Sequence, residues 1–241
     1  MTKIDWSEYS KIVVLSGAGI SAASGIRTYR GPDGLWNDQK LVRLSDAYTF
    51  RTEPLEVWKF WSQTRKICNQ AEPNAAHLSL VSLEKSLRPD QSLSIITQNI
   101  DGLHDRAGSL HIIQYHGSVL RTRCENFLCS LEPFTDTKLY VDEVPLCPLC
   151  RARLRPDIVL FNETIPEHNA RSAQEALLSC DLFIAIGTSG TVYPASDFVR
   201  IAHERGARTI LINMEEFVER NPYFKETILG KAELILPELI G

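Results

Sequence analysis

Short apolar segments recur along the chain, and each is bounded by turn-forming residues. They are continuous and rich in β-branched side chains, which is typical of strands buried on both faces of a parallel sheet. Longer segments with helical spacing of apolar residues lie between them, and Pro73 and Pro194 stand where two of these begin. The predicted strands cover residues 12–15, 93–97, 182–186 and 209–212, and the predicted helices cover 74–87, 167–178 and 195–205. The alternation predicts an α/β fold, a Rossmann-like parallel sheet with helices on both faces.

Two segments interrupt this alternation. Residues 28–62 are polar and aromatic and are interpreted as a loop with short helices, and residues 121–155 hold four of the six cysteines. We expect the two segments to pack together as a small module beside the main sheet. The predicted division is a large domain of residues 1–27, 66–120 and 156–241 and a small domain of residues 28–65 and 121–155.

The composition narrows the class of protein. With 241 residues, 44% hydrophobic and 23% charged, the chain is long enough to bury a core without disulfides, and it is neither disordered nor fibrous. A net charge of −4 gives no basic excess for direct binding of nucleic acid. Because no secretory signal and no membrane-spanning apolar segment is recognised, we expect a cytoplasmic protein with reduced thiols and no membrane partner. A monomer is favoured, although the sequence leaves the oligomeric state open.

Four cysteines form two close pairs. Cys124 and Cys129 are separated by four residues, and Cys147 and Cys150 by two. Two such pairs can place four thiolates around one structural zinc ion, and redox chemistry or chance is the alternative. Cys68 and Cys180 lie outside the quartet and are interpreted as small buried side chains.

The segment after the first predicted strand matches the G-x-G-x-x-A form of the dinucleotide-binding fingerprint. Glycines there permit a tight turn and a close approach of backbone N–H groups to a pyrophosphate, with a helix N-terminus behind them. Glycines after a strand can also serve only to shape a turn. The matching residues are Gly17, Ala18, Gly19, Ile20, Ser21 and Ala22.

The continuation of the chain argues against an ordinary dehydrogenase. Such an enzyme shows an acidic residue about 20 positions further on, at the end of a second strand, whereas this chain runs into the long polar segment. The ribose-binding group is therefore sought after the last predicted strand, where Asn213 and Glu215 stand. Gly187, Thr188 and Ser189 would complete a crevice at the carboxyl edge of the sheet.

Polar residues after the second predicted strand are further candidates. Gln98, Asn99 and Asp101 could bind a carboxamide, a ribose or an ordered water, or form an ordinary loop. Among the histidines, His116 is the best candidate general base, because it precedes Gly117 and titrates near neutral pH. A structural histidine is the alternative.

Taken in order, these motifs resemble the sirtuins, the NAD-dependent protein-lysine deacylases, and most closely the bacterial CobB-like members. The resemblance covers nearly the whole chain. The segments that carry it are GAGISAASGI at 17–26, TYR at 28–30, TQNIDGLH at 97–104, HG at 116–117, the two cysteine pairs, RPDIVLF at 155–161, GTS at 187–189 and VYP at 192–194.

The resemblance implies NAD as co-substrate, one structural zinc ion, and His116, Asn99 and Asp101 as catalytic residues. His116 would act as general base on a ribose hydroxyl, and the products would be nicotinamide, free lysine and O-acyl-ADP-ribose. The implied NAD site consists of Gly17, Ala18, Gly19, Ile20, Ser21, Ala22, Gly25, Ile26, Tyr29, Arg30, Trp36, Gln98, Asn99, Ile100, Asp101, His116, Gly187, Thr188, Ser189, Asn213, Met214, Glu215 and Ala232.

The resemblance also implies an acyl-lysine protein or peptide as partner, bound by strand addition. The implied substrate-binding residues are Val159, Leu160, Phe161, Val192, Tyr193 and Trp61. Two features depart from family patterns. The Tyr-x-x-Arg pair with which some relatives grip an acyl carboxylate is replaced by Trp61 and Thr64, which favours deacetylation over desuccinylation, and Asn162 stands where the family usually has glycine.

Two other functions use the same residues. An ADP-ribosyltransferase or NAD glycohydrolase would keep the NAD site and change the acceptor. A zinc-bearing NAD sensor without turnover would not require His116. The deacylase interpretation accounts for the full set of polar residues at the strand ends.

Overall fold

The computed structural model describes residues 4–30, 34–190, 192–215 and 221–241. Within these ranges the main sheet has six strands, all parallel, in the order β3-β2-β1-β7-β8-β9. Val14 of the first strand pairs with Ile95 on one side and Ile184 on the other. The strands are β1 Lys11–Ser16, β2 Ser92–Thr97, β3 Ile112–Gln114, β7 Leu182–Ile186, β8 Arg208–Asn213 and β9 Glu226–Leu229. All four predicted strands are confirmed.

Helices cover both faces of this sheet, which confirms the predicted fold class. The helices are α1 Gln39–Leu44, α2 Ala47–Thr52, α3 Pro54–Gln70, α4 Ala75–Ser86, α5 Leu103–Ala107, α6 Glu167–Ser179, α7 Phe198–Glu204 and α8 Ala232–Ile240. Val14 and Ile184 pack with Leu80 of α4 and Leu236 of α8. On the opposite face, Val13, Leu15 and Phe183 pack with Leu177 of α6 and Val199 of α7.

The structure refines two local predictions and overturns a third. The helix behind the glycine loop is a 3-10 helix, Ala18–Ser24, and Gly25, left-handed with φ 82°, ends it after two turns. The predicted helix 195–205 is confirmed, with a 3-10 turn at Ala195–Asp197 before α7. The polar segment 28–62 contains more than short helices, since α3 has 17 residues and buries one face, including Val57, Trp58 and Trp61.

A second, antiparallel sheet carries the cysteines. Its strands are β4 Gly117–Cys124, β5 Phe134–Thr135 and β6 Leu154–Ile158, in the order β5-β4-β6. Phe50 of α2 and Trp58 of α3 share a buried cluster with Tyr140, Cys147 and Leu154. The two inserted segments therefore pack against each other as expected. Helix α3 crosses residue 65, where the predicted domain boundary falls, and the two-domain division stays a prediction.

Among the described residues, no helix combines the length and the apolar character that crossing a bilayer would require.

Candidate active site

The carboxyl ends of β1, β2, β7 and β8 meet at one edge of the parallel sheet, and a cavity of about 1750 Å³ lies along this edge. Drug-sized ligands occupy roughly 300–1,000 Å³, so this cavity has room for more than one substrate. Most predicted site residues line it: Gly17, Ala18, Gly19, Ala22, Tyr29, Arg30, Trp36, Trp61, Gln98, Asn99, Ile100, His116, Val159, Leu160, Phe161, Gly187, Thr188, Ser189, Val192, Tyr193, Asn213, Met214, Glu215 and Ala232.

Five predicted residues are not part of the cavity wall, and sequence reasoning missed others that are. Ile20, Ser21, Gly25, Ile26 and Asp101 do not line the cavity. Lys231 and Glu233 line it on either side of Ala232, and Ser45 lines it near the substrate strand. Ser45 carried no local signal, because only the tertiary fold brings α1 to this edge. Thr191, inside the predicted peptide-binding segment, lies outside the described residues.

The glycine loop packs directly on the end of β7. A Cβ on Gly19 would lie 2.6 Å from Cα of Gly187, and one on Gly17 would lie 2.7 Å from the carbonyl oxygen of Gly187. The backbone N–H of Gly19 donates to that same oxygen at 2.8 Å. Gly187 itself is left-handed, with φ 59°. Side chains are therefore excluded from both sides of this contact, and glycine is required for the loop to pack this closely on the end of β7.

A buried hydrogen-bonded group lies at the inner end of the glycine loop. The amide Nδ2 of Asn99 donates to the carbonyl oxygen of Gly17 and to Oγ of Ser21, both at 3.1 Å. Oγ of Ser21 donates to Asp101 at 2.7 Å, and the other carboxylate oxygen of Asp101 accepts from the N–H of Leu103 at 2.9 Å. Burial raises the pKa of Asp101 above its ordinary value despite these bonds. Asp101 thus acts on the cavity through Ser21 and Asn99.

His116 presents one ring nitrogen to a fixed acceptor. Its Nδ1 lies 2.9 Å from the carbonyl oxygen of Gln98, so Nδ1 carries the proton and Nε2 is the basic atom of the neutral ring. Burial lowers the pKa of His116, and the bond to Gln98 only partly opposes this. The next residue, Gly117, has φ 80°, and a Cβ there would lie 2.1 Å from the carbonyl oxygen of Asp157. Glycine is therefore required at position 117, where β4 begins directly after His116.

The far end of the cavity is polar. Gln98 donates from Nε2 to Oγ1 of Thr188 at 3.2 Å, which ties the end of β2 to the end of β7. Asn213, the last residue of β8, donates to the carbonyl oxygen of Glu215 at 3.0 Å. Polar groups at the end of a late strand therefore reach the cavity, as the sequence predicted.

The predicted substrate strand borders His116. The N–H of Val159 donates to the carbonyl oxygen of His116 at 2.9 Å. Phe161 is bonded on its other side to the segment before α2, since its N–H donates to Ser45 at 2.8 Å and its carbonyl accepts from Ala47 at 3.1 Å. The segment Val159–Phe161, which follows β6, is thus held between His116 and the start of α2.

Asn162 follows the segment 159–161 in a left-handed conformation, with φ 65°. The N–H of Glu163 donates to the carbonyl oxygen of Leu160 at 3.1 Å, so Asn162 occupies the third position of a tight turn, where glycine and asparagine are favoured. Its side chain donates to Asp46 at 2.5 Å, and Asp46 also caps α2 by accepting from Tyr48 at 2.8 Å. The glycine-to-asparagine departure therefore preserves the turn and adds a link to α2.

The side chains that replace the Tyr-x-x-Arg pair are on α3. The ring of Trp61 is buried and lines the cavity beside the apolar residues Ile100 and Leu160. Thr64 donates its hydroxyl to the carbonyl oxygen of Phe60 at 3.2 Å, one turn earlier in the same helix. Neither residue offers a cation to the cavity.

Arg65 is fully buried and is not part of the cavity wall. Its guanidinium crosses from α3 to the cysteine-bearing sheet, where it forms an ion pair with Asp136 at 3.2 Å. It also donates to the carbonyls of Val119, Lys138 and Arg121 at 2.8, 2.9 and 3.1 Å and to Oγ1 of Thr122 at 2.9 Å. All five N–H groups of the guanidinium are therefore used in contacts at this junction.

The four predicted metal ligands come together. Their sulfur atoms lie within 4.8 Å of one another, with 3.5 Å between Cys124 and Cys150 and 3.6 Å between Cys129 and Cys147. Four thiolates placed tetrahedrally about 2.3 Å from zinc are about 3.8 Å apart, so the donor set fits one structural zinc ion. This ion would tie the end of β4 to the loop that precedes β6. Cys68 and Cys180 are buried elsewhere, as expected.

A parallel α/β sheet with a glycine loop and a polar cavity at its carboxyl edge, joined to a four-cysteine module, defines a dinucleotide-binding protein with a structural zinc site. The sequence model of the Sir2 family matches residues 17–194. The chain therefore belongs to the Sir2 family.

Named relatives agree with this assignment. The chain is 40% identical over 229 residues to NAD-dependent protein deacylase 2 of Pyrobaculum aerophilum, covering 95% of this chain and 89% of that protein. It is 41% identical over 236 residues to NAD-dependent protein deacylase of Vibrio cholerae, covering 96% and 92%. Among solved structures, a Sir2 homologue in complex with NAD superposes with a TM-score of 0.87 at 35% identity, covering 98% of this chain and 90% of the other. A Sir2 protein bound to acetylated peptide gives 0.83 at 29% identity, covering 98% and 94%.

Proposed function

We propose that this protein is an NAD-dependent protein-lysine deacetylase that also accepts other neutral acyl groups. It transfers the acyl group of an acyl-lysine to ADP-ribose and releases nicotinamide and free lysine. One observation carries the proposal: His116, with its Nδ1 proton committed to Gln98, lies in one cavity with the glycine loop and with the extended segment 159–161. The reaction needs a general base, a dinucleotide-binding loop and a peptide-binding segment in one cavity.

The glycine loop and the opposite strand ends hold the co-substrate. The loop formed by Gly17, Ala18 and Gly19 receives the pyrophosphate, and Gln98 and Asn99 bind the ribose and the nicotinamide end. Ile20, Ser21, Gly25, Ile26 and Asp101 act from behind the wall by fixing the loop and Asn99. The remaining members of the NAD site are Ala18, Ala22, Tyr29, Arg30, Trp36, Ile100, Gly187, Thr188, Ser189, Asn213, Met214, Glu215 and Ala232.

His116 is the general base. The acyl oxygen first attacks the anomeric carbon of the ribose and displaces nicotinamide, which leaves an imidate. Nε2 of His116 then takes the proton of a ribose hydroxyl as that oxygen attacks the imidate carbon. The lowered pKa keeps the ring neutral at neutral pH, so Nε2 is available to accept a proton. The carbonyl of Gln98 holds the ring orientation and stabilises the charge that develops when Nε2 becomes protonated.

The acyl preference rests on α3. An acyl carboxylate needs a cationic partner, and the best one is the bidentate fork of an arginine. Thr64 has no charge, and Arg65 is committed to five partners away from the cavity. An acyl chain that reaches Trp61 meets the apolar side chains of Ile100 and Leu160. Neutral acyl groups are therefore preferred to succinyl or malonyl groups.

Acyl-lysine peptides are the proposed macromolecular partners, bound along Val159, Leu160 and Phe161 on one side and by Val192 and Tyr193 on the other. Backbone pairing tolerates many side chains, so recognition of the surrounding sequence is loose. We also propose a cytoplasmic location, because the four clustered cysteines are free thiols suited to a metal ion, as is usual in a reducing compartment; a monomer stays the favoured oligomeric state.

A matched pair of peptides tests the proposal. Acetyl- and succinyl-lysine peptides of one sequence are incubated with the protein, with and without NAD, and the products are identified by mass. We expect O-acetyl-ADP-ribose and free lysine from the acetyl peptide only when NAD is present. A succinyl preference of tenfold or more would overturn the acyl assignment. ADP-ribose formed without any acyl-lysine would instead identify an NAD glycohydrolase.

A further inference from the structure

A largely buried ion pair connects β6 to the end of the proposed peptide-binding segment. Arg155 of β6 is 5% exposed, and its guanidinium donates to both carboxylate oxygens of Glu163, at 2.5 and 2.8 Å. The same guanidinium packs over the ring of Phe50 in α2, with 5.3 Å from Cζ to the ring centroid. Burial alone would raise the pKa of Glu163, but the hydrogen bonds and the charge of Arg155 outweigh it and lower that pKa. The carboxylate is therefore charged at neutral pH and fixed to β6.

The ion pair closes the turn that follows the segment. Oε2 of Glu163 accepts the N–H of Leu160 at 2.9 Å, and the N–H of Glu163 donates to the carbonyl oxygen of Leu160 at 3.1 Å. Arg155 also donates to the carbonyl oxygen of Ile158 at 3.1 Å, just before the segment. Both backbone groups of Leu160 are thus bonded within the turn and are not available to a peptide.

Two neighbouring backbone groups are open to a ligand. Among the residues that the structure describes, none forms a hydrogen bond to the carbonyl oxygen of Val159 or to the N–H of Asn162. Both residues line the cavity. The other N–H and C=O groups of residues 159–161 are already bonded within the protein. Strand addition needs unpaired backbone donors and acceptors, so a peptide can pair here with Val159 and Asn162.

We infer that Arg155 and Glu163 are positioning residues for the acyl-lysine peptide. By keeping the turn 160–163 closed, their ion pair holds the carbonyl of Val159 and the N–H of Asn162 in one fixed arrangement for a bound strand. The inference rests on the proposed function, because it takes residues 159–161 as the peptide-binding segment. A turn that is already ordered binds a strand without a further ordering cost, so the ion pair should affect peptide affinity and leave the chemical step unchanged.

The size of the effect follows from the bond to Leu160. A hydrogen bond to a charged group changes an equilibrium about 10- to 150-fold. Glu163→Ala removes this bond together with the ion pair, so we expect the Kd of an acetyl-lysine peptide to rise at least about tenfold. The KM for NAD and kcat at saturating peptide should stay within about threefold, because His116 and the glycine loop keep their own contacts.

Binding and kinetic measurements on the full-length protein test the inference. The Kd of an acetyl-lysine peptide is measured by calorimetry without NAD, so that no turnover occurs, and KM and kcat are measured for both substrates. Glu163→Gln keeps an acceptor oxygen for Leu160, so its peptide Kd should lie between those of the unaltered protein and Glu163→Ala.

Glu125→Ala is the matched control in the cysteine-bearing sheet. Glu125 also accepts a backbone N–H, that of Arg153 at 3.3 Å, and the guanidinium of the same residue at 2.9 Å. Because Glu125 is not part of the cavity wall, its replacement should leave the peptide Kd unchanged.

The outcomes separate this inference from the proposed function. A peptide Kd for Glu163→Ala within about twofold of the unaltered protein would overturn the inference. A parallel loss of kcat and of NAD affinity would also overturn it, because that result indicates general damage to the fold. Arg155→Met removes the anchor of the carboxylate and should weaken peptide binding selectively, which covers the case in which Glu163→Ala does not fold. If the unaltered protein neither binds nor deacetylates the peptide, the proposed function fails as well.

Discussion

The clearest prediction concerns Arg65, whose guanidinium joins α3 to the cysteine-bearing sheet. Replacing it by methionine keeps the length and apolar stem of the side chain but removes every donor. Three backbone carbonyls then lose a hydrogen bond, and Asp136 loses its ion-pair partner at 3.2 Å. Because Arg65 is fully buried and Asp136 is 9% exposed, water has little access to replace what is lost.

Removing one partner of a buried ion pair costs about 3–5 kcal/mol. For a protein of this size each kcal/mol lowers Tm by about 2–4 °C, so Arg65→Met should lower Tm by about 6–20 °C. Calorimetry or circular dichroism at pH 7.5 measures this. Arg88→Met is the matched control, because Arg88 pairs with Asp90 at the surface and such pairs contribute about 0–1 kcal/mol.

The stability deficit should depend on pH. Burial alone would raise the pKa of Asp136, but hydrogen bonds from Thr122 and Lys138 and the charge of Arg65 outweigh it and lower that pKa. A lowered carboxyl pKa stabilises the fold above the unfolded value of about 3.9 and is lost below it. Without Arg65 much of this contribution disappears, so the difference between variant and unaltered protein should persist down to about pH 4 and shrink only as pH falls further. A Tm loss below about 3 °C, or one equal to that of Arg88→Met, would refute the reasoning.

Three further predictions follow from the site. Because burial lowers the pKa of His116, kcat/KM should start to fall only when the pH drops below the ordinary histidine value of about 6.5. An acid limb centred above pH 7 would contradict this. The variant His116→Ala should lose turnover while still binding NAD. Cys147→Ser should reduce bound zinc from one ion per chain to substoichiometric levels by elemental analysis and lower Tm, whereas Cys180→Ser should leave the zinc content intact. Asn162→Ala should lower Tm by about 2–4 °C more than Asn162→Gly. Alanine at φ 65° costs about 1 kcal/mol that glycine avoids. Equal melting temperatures of the two variants would show that the turn is not strained.

The sequence by itself determined the elements whose signals are local. Continuous β-branched segments predict the buried strands, because a strand covered on both faces needs apolar side chains at nearly every position. The spacing of the two cysteine pairs predicts the metal site, since each pair can present two thiolates from one short loop. The glycine loop and the polar residues after the strands are also local signals, and parallel strands bring their carboxyl ends to one edge.

Only the tertiary structure decided where individual side chains point. Arg65 stands one position after Thr64, yet the packing of α3 on the small sheet sends it into a buried junction and away from the cavity. Asp101 follows the same strand as Gln98, yet it lies behind the wall and is linked to the cavity residue Asn99 through Ser21. The contact between Trp36 and Phe161 joins residues far apart in the chain. The positions of these side chains depend on long-range packing, which no local pattern of hydrophobic and polar residues encodes.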